Sequence, residues 1–296
     1  MNIIITGGTG FIGKAICSLL ASKGHTVYIL TRSSRASTQS NIYYMKWQAT
    51  DEELPISSID AVINLAGEPI NSGRWTKTKK AQIVSSRVNT TDGLLRQLAK
   101  LKKRPRVFIN ASAIGYYGTS LTETFTENSR SGNDFLATTV QSWEAKASYA
   151  KNLGIRTVFT RFGIVLGNGG ALPNMTLPYR LFIGGTIGSG KQWVSWIHIQ
   201  DAARMIAFVL ENEHIEGPIN VTSPTPITMK EFGQIISKVM KRPYWIPVPS
   251  FILKCVLGEM STLVLEGQQA IPEKACKHGF TFSYPHLEEA LSIILR

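Results

Sequence analysis

With 296 residues, 43% of them hydrophobic and 18% charged, the chain has the composition of an ordinary globular protein of one large or two medium domains. Because no run of about 18 apolar residues occurs and glycines follow the first apolar residues at once, we expect no membrane-spanning helix, no membrane partner and no signal peptide. The net charge of +12 is dispersed, which makes nucleic acid an unfavoured partner, and three scattered cysteines indicate a cytoplasmic protein with reduced thiols.

The first half of the chain alternates short apolar runs with helical segments, a pattern typical of a parallel sheet covered by helices. The polar segments 67–75 and 118–134 are predicted loops, and loops that follow parallel strands surround the ligand crevice of an open α/β sheet. The predicted strands are 2–6, 26–31, 60–65, 106–111 and 155–160, and the predicted helices are 11–23, 77–100 and 135–151.

After about residue 166 the alternation weakens and glycine-rich segments appear at 167–170 and 184–190. The predicted fold class is therefore α/β, a Rossmann-like doubly wound parallel sheet with a smaller mixed α/β C-terminal region. We expect an NAD(P)-binding domain at 1–220, with its Rossmann core at 1–165, and a small C-terminal domain at 249–296. The predicted elements of the second half are strands 194–197 and 219–221 and helices 200–211, 229–240, 250–256 and 287–295.

The first strand ends in the glycine-rich segment 7–13, GGTGFIG, and a helix follows directly. Gly8, Gly10 and Gly13 fit the G-x-G-x-x-G pattern, and Gly7 with Gly10 and Gly13 fits the related G-x-x-G-x-x-G pattern. Glycine is needed because the chain turns sharply, a pyrophosphate lies against bare backbone, and the helix packs closely on the strand. The segment therefore predicts a dinucleotide site at the helix N-terminus.

The end of the second predicted strand indicates which dinucleotide is bound. Arg32 lies 19 residues beyond Gly13, where an NAD enzyme usually carries an acidic residue for the ribose 2′-hydroxyl. An arginine suits the 2′-phosphate of NADP(H) instead, with Thr31 and Ser33 as further donors and Arg35 in support. The sequence thus predicts NADP(H) as the cofactor.

These residues resemble the extended short-chain dehydrogenase/reductase superfamily, in its NAD(P)-dependent epimerase/dehydratase branch. The resemblance extends to an atypical subgroup of epimerase-family proteins that carries its own C-terminal domain. It continues at Asn64-Leu65-Ala66-Gly67, at 86–91, in the HxxD turn from His198 to Asp201, and along 249–295. The resemblance implies that the predicted cofactor-binding residues are Gly7, Thr9, Gly10, Phe11, Ile12, Gly13, Thr31, Arg32, Leu65, Ala66, Gly67, Arg87 and Val165.

The superfamily needs a Tyr that exchanges a proton, a Lys four residues on, and a Ser that binds the substrate oxygen. When Glu144 and the dipeptide 117–118 are matched to the superfamily pattern, these positions hold Leu136, Val140 and Ala113. The resemblance therefore implies a site without the usual triad.

Weak candidates for a replacement acid or base are Ser112 and Tyr116, whose alternative roles are a strand-end hydroxyl and a packing aromatic. Arg161 either reaches an anionic substrate or pairs with a carboxylate, and His198 either titrates near neutral pH or orders its turn with Asp201. The five histidines lack metal-ligand spacing, so no metal site is predicted.

Three hypotheses for the function stay open at this point, and two of them are favoured. One is an NADP(H)-dependent oxidoreductase or epimerase that acts on a small-molecule substrate such as a nucleotide sugar, with a non-standard acid or base. The other is a non-catalytic NADP(H)-binding sensor or interaction protein, since some relatives of the subgroup have been linked to cell division. A nucleic-acid role through the basic cluster 100–106 is the third and least favoured hypothesis. The resemblance also allows a homodimer that pairs through helices 77–100 and 135–151.

Overall fold

The computed structural model describes residues 1–33, 36–37, 39–56 and 58–295. The strands are β1 (Asn2–Thr6), β2 (Thr26–Thr31), β3 (Ile42–Lys46), β4 (Ala61–Asn64), β5 (Val107–Ala113), β6 (Thr124–Phe125), β7 (Arg156–Phe162), β8 (Ile164–Gly167), β9 (Gly169–Gly170), β10 (Trp193–Val194), β11 (Trp196–His198), β12 (Gly217–Val221), β13 (Ile227–Thr228) and β14 (Gln269–Ala270). The helices are α1 (Phe11–Ser22), α2 (Lys77–Lys100), α3 (Phe135–Ser148), α4 (Leu172–Arg180), α5 (Ile199–Glu211), α6 (Met229–Met240), α7 (Ser250–Leu257), α8 (Thr262–Leu265), α9 (Glu273–Lys277) and α10 (Leu287–Ile294).

A seven-stranded sheet forms the centre of the molecule, in the order β12-β7-β5-β4-β1-β2-β3. Every neighbouring pair in this sheet is parallel. The strand order reverses between β1 and β4. The chain first adds β2 and β3 on one side of β1, and then adds β4, β5, β7 and β12 on the other side. This arrangement confirms the predicted Rossmann-like doubly wound α/β fold.

The strands are apolar throughout because helices cover both faces of the sheet. Alternate residues of β1 point to opposite faces: Ile3 and Ile5 pack in the cluster that contains α1 and α5, and Ile4 packs in the cluster that contains α2. All three isoleucines are fully buried. Pairs of helices then pack on each other, α1 on α5 and α2 on α3, which fixes the two outer layers.

Some elements differ from the prediction. β3, β8 and α4 were not predicted, since β3 is a short mixed run and α4 has prolines at 173 and 178. The predicted strand 194–197 is two strands that separate at Ser195, where the hydroxyl donates to Gln268 O at 2.8 Å and accepts the Ala270 N–H at 2.9 Å. The predicted helix 135–151 changes at Ser148 into a 3₁₀ segment that ends at Gly154 with φ +73°.

The C-terminal elements share a core with the preceding region. Leu287 and Leu291 of α10 pack in one cluster with Trp196 and with Phe232 of α6, and α9 packs against β12. Among the residues that the structure describes, no helix combines the length and apolarity that crossing a bilayer requires, and no three His, Cys, Asp or Glu side chains are grouped to hold a metal ion.

Candidate functional site

The carboxyl ends of β1 and β4 meet at the point where the strand order of the sheet reverses. β1 pairs with β2 on one side and with β4 on the other, so the loops that follow these three strands diverge around a crevice. Crevices of this kind are where open α/β sheets bind ligands. The sequence-predicted residues at 7–13, 31–32 and 65–67 lie on these loops or at the adjoining ends of α1 and β2.

The glycine-rich turn after β1 is too tightly packed to accept side chains. Gly7 has φ +67°, and a Cβ on it would lie 2.7 Å from the carbonyl carbon and oxygen of Leu65. A Cβ on Gly13 would lie 2.3 Å from Gly7 O. Both contacts are with backbone, which cannot move aside, so these glycines allow the two loops and α1 to approach one another.

The N-terminus of α1 points its free backbone N–H groups into this turn. The N-cap is Gly10, which has no side chain to accept from them, and the first intrahelical bond runs from Lys14 N to Gly10 O at 2.9 Å. The N–H groups of Phe11, Ile12 and Gly13 are therefore available to a bound anion, and the helix dipole adds a partial positive charge. A cradle of bare backbone with free donors fits the pyrophosphate of a dinucleotide.

A cluster of charged side chains lies at the ends of β2 and β4. Arg32 is exposed directly after β2. On the opposite loop the Glu68 carboxylate pairs with Lys79 Nζ at 2.7 Å, and Lys79, followed by Arg32 and Arg87, holds the pKa of Glu68 below its usual range. Arg32 is thus close enough to the loop after β4 to influence its charge. Arg35 lies outside the described residues.

The loop after β4 is fastened to α2. Ser86 Oγ accepts the Glu68 N–H at 3.0 Å, and the Arg87 guanidinium donates to Glu68 O at 3.0 Å and to Ile83 O at 2.9 Å. A Cβ on Gly67 would lie 3.1 Å from Arg87 Cζ. Burial lowers the pKa of Arg87 to about 10. Arg87 therefore supports the backbone of this loop from behind, in addition to the cofactor contact that the sequence predicts for it.

Phe11 closes the other side of the turn. A Cβ on Gly167, Gly169 or Gly170 would lie 2.7 to 3.0 Å from the Phe11 ring, so the glycine-rich turn between β8 and β9 rests flat against it. Val165 of β8 packs in the same cluster. The sequence predicted Phe11 and Val165 separately as cofactor residues, and the structure brings them together beside the crevice.

A buried polar network ties the strands together beneath the crevice. Thr6 Oγ1 donates to Asn64 Oδ1 at 2.6 Å, and Asn64 Nδ2 donates to Asn110 Oδ1 at 2.7 Å and to Thr91 Oγ1 at 2.9 Å. The Thr91 hydroxyl in turn donates to Arg87 O at 2.8 Å. Because every group has a partner, the network fixes the relative positions of β1, β4, β5 and α2 at low cost. No local pattern in the sequence predicts this network, since its members are far apart in the chain.

A second buried network lies at the ends of β5 and β7 and is centred on an ion pair. The Arg161 guanidinium donates from Nε and Nη2 to the two carboxylate oxygens of Glu144, each at 2.8 Å. Ser112 Oγ donates to Glu144 Oε1 at 2.5 Å, and Arg161 Nη1 donates to Tyr117 Oη at 3.0 Å. Both charged side chains are less than 10% exposed. Of the two roles weighed for Arg161, the structure shows the pairing with a carboxylate.

Burial and hydrogen bonding shift the pKa values of two groups in this cluster, Tyr117 and Arg161. Burial raises the pKa of Tyr117 to about 12, and its hydroxyl donates to Asn220 Oδ1 at 2.7 Å. The carboxylate of Glu144, aided by Tyr117, raises the pKa of Arg161 above its ordinary value and outweighs desolvation. The cluster therefore contains a permanent cation and a neutral phenol.

The side chains at the positions that the sequence predicts for the triad form an apolar rim next to this cluster. Ala113 ends β5 and is half-buried, Leu136 is half-buried in the first turn of α3, and Val140 is 5% exposed one turn further on. A Cβ on Gly115 would lie 3.4 Å from Leu136 Cβ, so the 3₁₀ turn after β5 meets α3 here through small and apolar groups.

The two weak catalytic candidates have different environments. Ser112 is 4% exposed and its proton is directed to Glu144. Tyr116 is half-buried, and the Arg161 guanidinium stacks on its ring with Cζ 3.5 Å from the centroid. Tyr116 thus has partial access to solvent, whereas Ser112 lies behind the ion pair.

The HxxD turn holds the C-terminal segment. His198 caps α5, with Nδ1 accepting the Gln200 N–H at 3.2 Å, and its ring centroid lies 4.0 Å from that of Tyr284. Asp201 is fully buried and accepts the N–H groups of Ser283 and Tyr284 at 2.9 and 2.8 Å. Burial lowers the pKa of His198. Of the two roles weighed for His198, this geometry matches the ordering of the turn.

Comparison with known proteins agrees with this architecture. Residues 3–222 match the NAD dependent epimerase/dehydratase family, and residues 248–294 match a domain of unknown function, DUF1731. The epimerase family protein YfhF of Bacillus subtilis is 51% identical over 300 residues, covering 100% of this chain and 98% of that protein.

Solved structures give the same result. The human epimerase family protein SDR39U1, crystallised with NADPH, is similar with a TM-score of 0.90 and 36% identity over 99% of both chains. UDP-glucose 4-epimerase of Thermotoga maritima, at 18% identity and a TM-score of 0.81 over 100% of this chain and 97% of that one, shares the fold. On the match to the family and on these relatives, the chain belongs to the NAD dependent epimerase/dehydratase family.

Proposed function

We propose that this protein binds NADP(H) in the crevice between the loops that follow β1, β2 and β4. The observation that carries the proposal is the backbone cradle, in which Gly7 and Gly13 leave no room for a Cβ and the N–H groups at the start of α1 are free. The solved relative with 36% identity binds NADPH, which supports the same cofactor here.

The preference for NADP(H) over NAD(H) rests on Arg32. Arg32 directly follows β2, where the adenosine ribose of the dinucleotide is expected. No Asp or Glu occurs in 26–50 to accept a hydrogen bond from a 2′-hydroxyl. A guanidinium gives a 2′-phosphate charge-assisted hydrogen bonds worth about 1.5–3 kcal/mol in total. We therefore expect Arg32→Ala to weaken NADPH binding roughly 10- to 100-fold.

Equilibrium titration of cofactor fluorescence measures this effect. NADH has no 2′-phosphate, so its affinity for Arg32→Ala should stay within about threefold of the wild-type value. Arg106→Ala removes an arginine that is 76% exposed directly before β5, at the edge of the sheet opposite the crevice, and serves as the matched control. Equal losses for NADPH and NADH, or the same loss in the control, would contradict the assignment.

We further propose that the protein is an oxidoreductase or epimerase that acts on a small polar substrate such as a nucleotide sugar. The bound nicotinamide would supply or accept a hydride. Among this chain's own side chains, Tyr116 is the better-supported proton donor, because it is half-buried beside the apolar rim while Ser112 donates to Glu144. Turnover of carbonyl compounds and sugar nucleotides, followed by NADPH absorbance and product analysis, should be reduced at least about 100-fold in Tyr116→Phe.

A second candidate function is a non-catalytic NADP(H)-binding sensor or interaction protein. The observation that favours it is the rim of Ala113, Leu136 and Val140, which have no proton to exchange at the positions of the usual triad. Tight NADPH binding without turnover, and without solvent-proton exchange into any substrate of the panel, would select this function. A measurable rate that Tyr116→Phe removes would select the enzyme. A homodimer through α2 and α3 is compatible with either function.

A further inference from the structure

Two neighbouring segments expose an unusual amount of apolar surface on the side of the molecule that contains α4 and α7. We name this surface the apolar face. Taking about 150–250 Å² for a large side chain when fully exposed, the apolar face offers roughly 800 Å², above the few hundred Å² usual for a monomer. Its members, each 41–67% exposed, are Leu181, Phe182, Ile183, Trp245, Ile246, Phe251, Ile252 and Val256.

The backbone holds these side chains outward. Trp245 Nε1 donates to Phe182 O at 2.7 Å, and Trp245 N donates to Gly184 O at 2.9 Å, which joins the two segments. Phe182 has φ +61°, in the left-handed region that bulky residues rarely adopt. A strained, well-bonded backbone that presents an exposed Phe and an exposed Trp indicates a surface that is maintained for contact.

Helix α7 continues the apolar face. It has eight residues, none of them buried, and just before its start Gly188 N donates to Val248 O at 2.9 Å. Its other end is held by Arg74, whose Nε donates to Val256 O at 3.0 Å. The helix is therefore anchored at both ends through main-chain atoms while Phe251 and Val256 stay exposed.

Cations outnumber carboxylates around the apolar face, although Glu259 lies just after α7 and Lys238 pairs with Glu288 at 2.7 Å. Segments 172–192 and 232–258 contain no Asp or Glu, and they account for part of the net charge of +12. Arg242 also stacks on Phe182, with Cζ 4.3 Å from the ring centroid. A second copy of the chain would bring like charges together, so an anionic partner fits the apolar face better. The exposed cations in these segments are Arg180, Lys191, Lys238, Lys241, Arg242 and Lys254.

We infer that the apolar face docks side-on to an anionic lipid surface. Projecting Trp and Phe side chains enter a bilayer interface without a partner of matching shape, and the surrounding Lys and Arg side chains reach the headgroups. A protein partner would instead need pockets that match each projecting side chain. The lack of a spanning segment in the sequence predicts no membrane partner, but side-on docking does not require a span.

Co-sedimentation with vesicles tests this inference. The protein should bind vesicles of phosphatidylglycerol and phosphatidylcholine in equal amounts at least about tenfold more strongly than vesicles of phosphatidylcholine alone, and added salt should weaken the binding. Phe251→Ser with Val256→Ser should reduce the partition coefficient at least about tenfold. The matched control, Leu121→Ser with Tyr149→Ser, alters side chains that are 55% and 57% exposed elsewhere and should have no effect.

Charge reversal separates the electrostatic contribution. Lys254→Glu should weaken binding to the anionic vesicles about fivefold or more, whereas Lys103→Glu, with the same change of net charge, should not. An environment-sensitive dye on Cys255 of α7, in a Cys276→Ser background, should shift to the blue on anionic vesicles. The same dye on exposed Cys276, in a Cys255→Ser background, should not shift.

Several results would overturn the inference. These are equal binding to both vesicle types, equal loss in the serine variants and their control, or a shift of both dyes. Light scattering that shows a dimer, lost in Phe251→Ser with Val256→Ser, would assign the apolar face to a second copy. Binding of soluble polyglutamate without binding of vesicles would assign it to an acidic protein. Unchanged NADPH affinity in the serine variants would show that the fold is intact, so failure here leaves the proposed cofactor function untouched.

Discussion

Removal of the buried carboxylate at Glu144 is the sharpest test of how the ends of β5 and β7 are held together. Glu144 accepts three hydrogen bonds, two from Arg161 at 2.8 Å and one from Ser112 at 2.5 Å. Glu144→Gln keeps the shape but replaces one acceptor oxygen with an NH₂ group and leaves the Arg161 cation uncompensated. Arg161 is only 3% exposed, so water cannot take over the lost interactions.

The expected cost follows from that burial. Breaking a buried ion pair by removing one partner lowers the free energy of unfolding by about 3–5 kcal/mol. For a chain of this size such a loss lowers Tm by roughly 6 to 20 °C. The exposed pair of Lys238 and Glu288, with side chains 69% and 47% exposed, is worth about 1 kcal/mol or less, so Glu288→Gln is the control.

Urea unfolding followed by circular dichroism measures both variants under the same conditions. A double variant, Glu144→Leu with Arg161→Leu, should lose less stability than Glu144→Leu alone, because no charge is then stranded. If Glu144→Gln loses no more than Glu288→Gln, or if the double variant loses the sum of its single changes, the buried ion pair does not have the role described for it.

Three further predictions concern the HxxD turn, which holds the C-terminal segment, and the glycine-rich turn after β1. His198→Asn keeps an N-cap acceptor but removes a group whose pKa is lowered by burial. Because the unfolded chain binds the proton first, the stability of the wild-type protein should fall as the pH drops below about 6.5. Urea titrations at several pH values should show a smaller fall in the variant. Asp201→Asn loses one of the two charge-assisted hydrogen bonds from Ser283 and Tyr284, at a cost of about 2–3 kcal/mol in the free energy of unfolding. Hydrogen exchange should then show that the C-terminal segment opens first. Exchange that rises uniformly over the chain would contradict the role of Asp201 in holding this segment. Gly13→Ala places a Cβ 2.3 Å from backbone and should abolish measurable NADPH binding in the fluorescence titration, while retained affinity would show that the turn is not the cradle.

The sequence predicted those features that depend on patterns of a few neighbouring residues. The strand 2–6, the glycine turn and the start of the helix at Phe11 agree with the structure because apolar runs, glycine spacing and helix periodicity each act over a few residues. The same local signals failed in α4, where prolines at 173 and 178 predict a loop although tertiary packing buries Leu172 and Tyr179.

The contacts of the candidate site were less accessible to sequence reasoning. Glu144 and Arg161 lie on different elements, 17 residues apart, and Tyr117 joins them from a third. Nothing in the local pattern of any of these residues predicts that they meet, because the contact depends on how α3 packs on the sheet. The superfamily pattern assigns Leu136 and Val140 to the triad positions, which stays a prediction, and it gives no sign of the ion pair between Glu144 and Arg161.

The closed cluster also determines what a pH profile of turnover can report. Arg161 stays charged, and Tyr117, with a pKa of about 12, stays neutral until well above pH 10, so neither changes protonation state in the neutral range. Their contribution to stability is constant there and is lost only at high pH, where the unfolded phenol ionises first. A pH dependence of turnover between about 6 and 9 would therefore report a group outside this pair, on the crevice side or on the substrate. If turnover is unchanged in Tyr116→Phe, the proton donor lies on the substrate or in solvent rather than at Tyr116.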